Sequence, residues 1–283
     1  MPSYENPEIP DGINVSHTHP LADFARLVGG LVVVTALVVG LLMLVAGRVA
    51  KYVPFETEVA MAGPFAEKLD GSDSKVLSDY VKTVTAKVAA EHDLPPGMVI
   101  TAHYLPDDTV NAFATLGGHI VIYGGLMREM PDENTLAMVI SHEIAHVRLR
   151  HPISSMGRGL VFGMALAVVS ASGGGSVVSQ ALGSAGLLTT LSFSRDQERA
   201  ADALGLDALV KTYGHAAGGA ETFRRLQSAH DGRLRPPALL STHPVDTERI
   251  ATIEKTIADH GWAPTGPMTP YPADVVTALG PKP

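Results

Sequence analysis

The longest uninterrupted apolar stretch covers residues 27–47, 21 positions without a charge between Arg26 and Arg48. As a helix rising about 1.5 Å per residue it would be roughly 32 Å long, close to one hydrocarbon core. It predicts a transmembrane anchor over 26–48. The preceding residues 1–25 carry several Pro, Gly and acidic residues and no apolar period, and read as a flexible tail. A cleaved signal peptide fits less well, because its apolar region is shorter and its leading segment basic. One basic residue, Arg26, precedes the span, and Arg48, Lys51 and Lys68 follow it. That bias weakly favours a cytoplasmic C-terminal domain and leaves the side open.

After the anchor, residues 49–96 read as a linker and then a helix over 72–91, where Val76, Leu77, Tyr80, Val81, Val84 and Val88 recur at helical spacing. Pro95, Pro96 and Gly97 end it. Three short apolar runs, at 98–104, 110–114 and 119–123, are separated by Asp107-Asp108 and Gly117-Gly118 and predict a small antiparallel sheet. Pro131-Asp132 opens a helix to about Arg150, closed by Pro152. Residues 159–193 carry no charge and are split by Gly173-Gly174-Gly175-Ser176. They predict an apolar hairpin that covers a site or touches a membrane rather than two spans. A further helix includes 194–210, and 263–283, with six prolines in its last twenty residues, reads as an irregular tail. The fold class is α+β and mainly helical, with a catalytic domain expected over 49–262.

Composition narrows the function. Apolar residues make up 46% and aromatics 5%, a mixture that suits helices and a membrane segment. A net charge of -8 without a long basic run gives nucleic-acid binding no electrostatic support. The absence of cysteine excludes disulfides and thiolate metal sites.

The chemistry centres on His142-Glu143-Ile144-Ala145-His146. Two His four apart on a helix differ by about 40° around its axis, so both imidazoles can face one ion. Glu143 lies beside them, placed to take a proton from a water that attacks a carbonyl. On the helix wheel Asn134, Ser141 and Arg148 mark a polar arc, and His142, Glu143 and His146 fall opposite it among Leu136, Val139, Ile140 and Val147. Polar groups on an interior face need partners, which a metal and its water would supply. A metal that also binds water needs a third protein ligand. His151 is out of register, about 140° from His146 around the helix. A later segment, Ser194-Arg195-Asp196-Gln197-Glu198-Arg199-Ala200-Ala201-Asp202, offers a carboxylate instead. Ser194 and Gln197 make a capping box, Glu198 and Asp202 share a face, and Ala200 and Ala201 allow close helix approach. Glu198 then reads as the third ligand and Asp202 as the acceptor behind a ligating His, around one Zn2+ per chain.

Paired in this way, the motifs resemble the HtpX and CAAX prenyl protease family of membrane-associated zinc peptidases. Asn111-Ala112-Phe113-Ala114 with Gly117-Gly118, Arg150-His151, and Thr242-His243-Pro244 with Arg249 agree with that family's remaining motifs. The likeness covers roughly 55–262, and one clear span makes a single-pass member the better match. It implies a gluzincin-type zincin domain. It also implies that Asn111, Ala112 and Phe113 form an edge strand pairing with substrate backbone, although Phe113 reads equally as a core residue. His243 would donate to the oxyanion. Arg249 would orient that region or pair with an acid such as Asp246.

The reading is a metalloendopeptidase acting on membrane or misfolded envelope polypeptides, attached to the bilayer of a bacterial inner membrane. The competing reading is a non-hydrolytic zinc-containing membrane adaptor or chaperone on the same fold. Zinc binding alone does not need Glu143, whose presence favours the enzyme.

Overall fold

The computed structural model describes residues 20–67, 69, 74–169, 193–231, 238–243 and 247–281. The expected apolar hairpin lies outside these residues beyond position 169. The chain divides into two compact units, Met1–Leu42 and Met43–Pro283.

The apolar run forms helix α1, Pro20–Val49, with Asp23 in its first turn and Arg48 in its last. Helical structure therefore starts inside the stretch read as a tail. Leu31, Val32, Val33 and Leu37 are all exposed. Among the described residues nothing covers these side chains, and such an apolar face suits lipid or another apolar surface.

In the second unit a short 3-10 turn, Ala50–Tyr52, leads into α2, Phe55–Ala66, within the segment read as linker. The signal there was weak, because Pro64 sits inside the helix and only Phe55, Glu58 and Ala62 are buried. Helix α3, Lys75–Ala89, starts at Ser74, whose side chain accepts the Leu77 N–H. Strands β1 (Thr101–Leu105), β2 (Ala112–Ala114) and β3 (His119–Tyr123) form a sheet in the order β1-β3-β2.

The sheet is mixed, which corrects the antiparallel expectation. β2 and β3 form a hairpin, with Phe113 opposite Val121, and β1 runs parallel to β3 on its other edge. The tight turn at Thr115–Gly118 forces β2 and β3 antiparallel. The longer connection after β1 lets the chain skip one position, so β1 ends on the far side of β3. Gly117 and Gly118 have φ of 70° and 80°, and a Cβ on Gly118 would lie 2.0 Å from the Val99 carbonyl oxygen. Only glycine fits there.

After α4 (Gly124–Glu129) comes α5, Glu133–Arg148, capped by the Asp132 side chain on the Thr135 N–H. Every residue from Glu133 to Val147 is buried. The expected polar arc is therefore not a solvent face. Its members bond inward: Asn134 accepts the Thr269 N–H at 2.8 Å, and the Ser141 hydroxyl donates to the Gly205 carbonyl at 2.9 Å. Glu133 gathers the Tyr80 and Tyr213 hydroxyls and the Lys87 ammonium within 3.0 Å. A helix enclosed on all sides is a rigid mount for whatever it carries.

Helix α5 stops two residues before the expected end. Arg150 adopts a left-handed φ of 60°, and α6 (His151–Val169) begins at once, with Pro152 in its first turn. Proline ends one helix here by starting another, since its missing N–H is not needed at a helix start. Arg150 also pairs with the buried Glu58 of α2 at 2.5 Å. That ties the segment after the anchor to the end of α5. Burial raises the Glu58 pKa, and Arg150 only partly opposes this.

Helix α7, Arg195–Tyr213, carries the full capping box at Ser194 and Gln197 and ends at the left-handed Gly214. It lies directly on α5, where Gly205 meets Ser141 and His142, and Ala201 and Ala208 are buried on the same helix. A Cβ on Gly205 would meet the backbone of His142 at 3.1 Å. Gly205→Val is expected to cost about 1–3 kcal/mol by overpacking and to weaken metal affinity by moving His142. Chemical denaturation and a competitive zinc titration check both effects. Helices α8 (Gly219–Asp231), α9 (Ala238–Thr242) and α10 (Thr247–Asp259) complete the wall around α5.

The segment read as an irregular tail is partly a docked one. Helix α11, Ala273–Leu279, buries Val275 and Leu279 in the main core, and Tyr271 meets Tyr80 edge-on. The prolines masked a short apolar i, i+4 pair that packs against α3 and α4.

Candidate metal centre

His142 and His146 project from one face of α5, with their Nε2 atoms 3.0 Å apart. Glu198, in the first turn of α7, faces both: its Oε2 is 3.4 Å from His142 Nε2 and its Oε1 3.5 Å from His146 Nε2. His243, just after α9, brings Nδ1 to 3.0 Å from Glu198 Oε1 and 3.2 Å from His142 Nε2. One ligand atom from each of these four buried residues falls within a 4.8 Å cluster. The distances suit one ion with each atom turned inward.

The groups behind the cluster set its orientation. His142 Nδ1 lies 2.9 Å from Asp202 Oδ1, which leaves Nε2 to face the centre. Asp202 is in turn gripped by Arg249, Nε to Oδ2 at 2.6 Å and Nη2 to Oδ1 at 2.7 Å. The Arg249 Nη1 also reaches Glu198 at 2.9 Å. On the other side, His146 Nδ1 is 2.9 Å from His151 Nδ1. The Phe193 ring stacks on His146 with centroids 4.0 Å apart. Sequence reasoning gave His151 and Phe193 no such place. His151 was tested only as a ligand on the same helix, whereas the break at Arg150 swings it to the back of His146. Among the described residues, Arg249 meets the acids Glu198 and Asp202 of α7, and Asp246 lies outside those residues.

The electrostatics follow from burial and pairing. Burial opposes charge on His142, yet Asp202 and Glu198 overcome it and lift its pKa to about 9. Burial pushes His146 down, helped by the neighbouring His142, and takes His151 down to about 3. Glu198 is held far below the usual carboxylate range: burial would raise it, but His243 and His142 outweigh that. Asp202 is lowered against burial by Arg249 and His142.

Glu143 is fully buried beside the cluster, and neither of its oxygens has a hydrogen-bond partner. His243 Nε2 also lacks one and lies 3.5 Å from Glu143 Oε1. Buried polar atoms without partners are rare and costly. Here they border a set of inward-facing imidazoles and a carboxylate, so the residues present fit a divalent metal and a bound water. Asn111, Ala112 and Phe113 are not part of this cluster. Ala112 and Phe113 lie in β2 at the sheet edge, both buried, and the Phe113 ring is 6.2 Å from that of Tyr123. The Asn111 side-chain oxygen is buried without a partner.

A buried HExxH helix facing a glutamate from a second helix, over a small sheet, defines a zincin-like metallopeptidase domain. The sequence profile of peptidase family M48 matches residues 76–257. The chain belongs to that family, whose members are metal-dependent. It is similar to the beta-barrel assembly-enhancing protease of Escherichia coli, 27% identical over 69% of this chain and 42% of the relative. Metalloprotease LoiP of Escherichia coli is 32% identical over 65% of this chain and 73% of the relative. The mitochondrial metalloendopeptidase OMA1 of Schizosaccharomyces pombe is 31% identical over 56% of this chain and 46% of the relative. The chain spans about two fifths of the length of the beta-barrel assembly-enhancing proteases it matches, 38% and 42%.

Proposed function

We propose that this chain is a zinc-dependent endopeptidase in which His142, His146 and Glu198 hold one Zn2+. The observation that carries the reading is the unpartnered Glu143 carboxylate, buried beside four clustered ligand groups. Zinc, when bound there, acidifies a water and polarises the scissile carbonyl. Glu143 accepts the water's proton and delivers it to the departing amine nitrogen. His243 holds Nδ1 at Glu198 and turns Nε2 toward the reacting groups, where the imidazolium form, with an N–H on both nitrogens, would donate to the oxyanion. Arg249 keeps Glu198 and Asp202 in place, and Asp202 keeps the tautomer of His142. A non-hydrolytic adaptor would have no use for a buried carboxylate without a hydrogen bond, which costs stability.

The substrate strand would align along β2, using the backbone of Asn111, Ala112 and Phe113. A cavity of about 140 Å³ between α7 and α10, bordered by Phe193, Glu198, Arg249 and Thr252, offers room for a substrate side chain. We read α1 as a single-pass anchor, which places the peptidase at a membrane. The name beta-barrel assembly-enhancing protease, borne by several bacterial relatives, fits polypeptides of the envelope as substrates. Misfolded or membrane proteins as those substrates, and attachment to a bacterial inner membrane, are our reading of the apolar helix that precedes the peptidase domain. Within the family, the motifs around Asn111, His151 and His243 favour a single-pass relative of the HtpX and CAAX prenyl proteases.

Dialysis against a chelator is expected to abolish hydrolysis of an unfolded protein by the detergent-purified chain. One equivalent of Zn2+ should restore it. Full activity in protein shown to be metal-free would overturn the proposal.

A further inference from the structure

A second cavity, about 560 Å³, opens at the end of the apolar run of α1. Its described lining includes Arg48, Lys51 and Arg158, together with Leu44, Ser194 and Gln197. Three cations meet there, and among the described residues no carboxylate lines the cavity. Arg48 and Lys51 are exposed. Arg158 is half-buried, and its recorded partners are neutral: Ser154 Oγ at 3.0 Å, Ser155 Oγ at 2.6 Å and Gln197 Oε1 at 3.1 Å. Burial accordingly lowers its pKa. A partly desolvated guanidinium without an acid is an unmet demand for an anion, and its planar fork suits phosphate.

The position selects the source of that phosphate. Arg48 is the first charge after residues 27–47, where the apolar helix would leave the hydrocarbon for the headgroups. The level is fixed by packing. Ser154 donates to the Gly47 carbonyl at 2.7 Å, and Gly157 lets α6 approach, since a Cβ there would lie 3.1 Å from the Ala46 oxygen and the Ala50 methyl. Leu44 lines the same cavity on the apolar side, where an acyl chain would continue from a headgroup. We propose that this cavity binds the phosphate of an anionic phospholipid through Arg48, Lys51 and Arg158. The proposal rests on reading α1 as a membrane anchor. Phe193 borders the cavity and stacks on His146, so the headgroup would sit one ring away from the metal cluster.

The test uses the full chain in a neutral maltoside detergent, titrated with short-chain phosphatidylglycerol, short-chain phosphatidylcholine and inorganic phosphate. Phosphatidylglycerol is expected to bind at least about tenfold more tightly than either alternative. Arg158→Gln and the double variant Arg48→Gln/Lys51→Gln should each weaken it by about tenfold, while Lys82→Gln, an exposed cation elsewhere, should not. The double variant changes only exposed side chains, so it reads out binding even where Arg158→Gln disturbs packing. Equal binding of the two lipids, or unchanged binding in the double variant, overturns the site. Inorganic phosphate binding as tightly as phosphatidylglycerol overturns the lipid assignment. Alkaline extraction of membranes tests the anchor separately: a released chain sinks the anchor reading, whereas the detergent titration still decides the cavity.

Discussion

Glu143→Gln is expected to lower kcat for peptide hydrolysis by about 10²–10⁴-fold while zinc content stays at that of the parent chain. Glutamine keeps the shape of the side chain but cannot accept the water's proton. Glu143 is the one buried carboxylate at the cluster with neither an ion-pair partner within 3 Å nor a hydrogen bond on either oxygen. The substitution therefore removes no hydrogen bond and only weakens the 3.5 Å contact with His243 Nε2, so stability should hold or rise slightly. Zinc analysis and turnover on an unfolded substrate read the two effects separately. Unchanged turnover with zinc in place would sink the general-base assignment, and loss of zinc would make Glu143 a ligand.

The second large effect is expected at Asp202→Ala. Asp202 orients His142 and receives two hydrogen bonds from Arg249, which is 6% exposed. Loss of the acceptor behind a metal-binding His typically lowers affinity about 10–100-fold. Loss of one partner from a buried ion pair costs about 3–5 kcal/mol. The effects are separable, because denaturation of the metal-free chain reads the Arg249 penalty and a competitive zinc titration reads the affinity. A variant as stable as the parent without metal would show that the ion pair with Asp202 adds nothing to the stability of Arg249.

The pattern of polar and apolar positions made much of this site legible. His142, His146 and Glu198 follow from helical spacing and from the need for a third ligand. The acceptor behind His142 follows from Asp202 sharing a helix face with Glu198, and the capping box located that helix. What the pattern could not carry depended on tertiary packing. A helix buried on every side needs no polar face, so the wheel of α5 mistook Asn134 and Ser141 for an outer arc. The parallel pairing of β1 with β3 joins strands that a third strand separates in sequence, and alternation does not encode which edge a strand takes. The role of His151 needed the left-handed turn at Arg150. Helix α11 has only two buried apolar side chains among prolines, too few for periodicity to register.

The residues of the candidate centre come from three places far apart in the chain: α5, the first turn of α7, and the residue after α9. Glu198 lies 56 positions beyond His142, and His243 lies 45 beyond Glu198. No short stretch of an emerging polypeptide therefore carries the whole centre. One long loop must close before Glu198 joins His142 and His146, and a second before His243 reaches them, and their entropy is offset only when α5 is enclosed. On the proposed zinc reading, a half-made chain would lack the complete centre, and hydrolysis would have to wait until the core has closed.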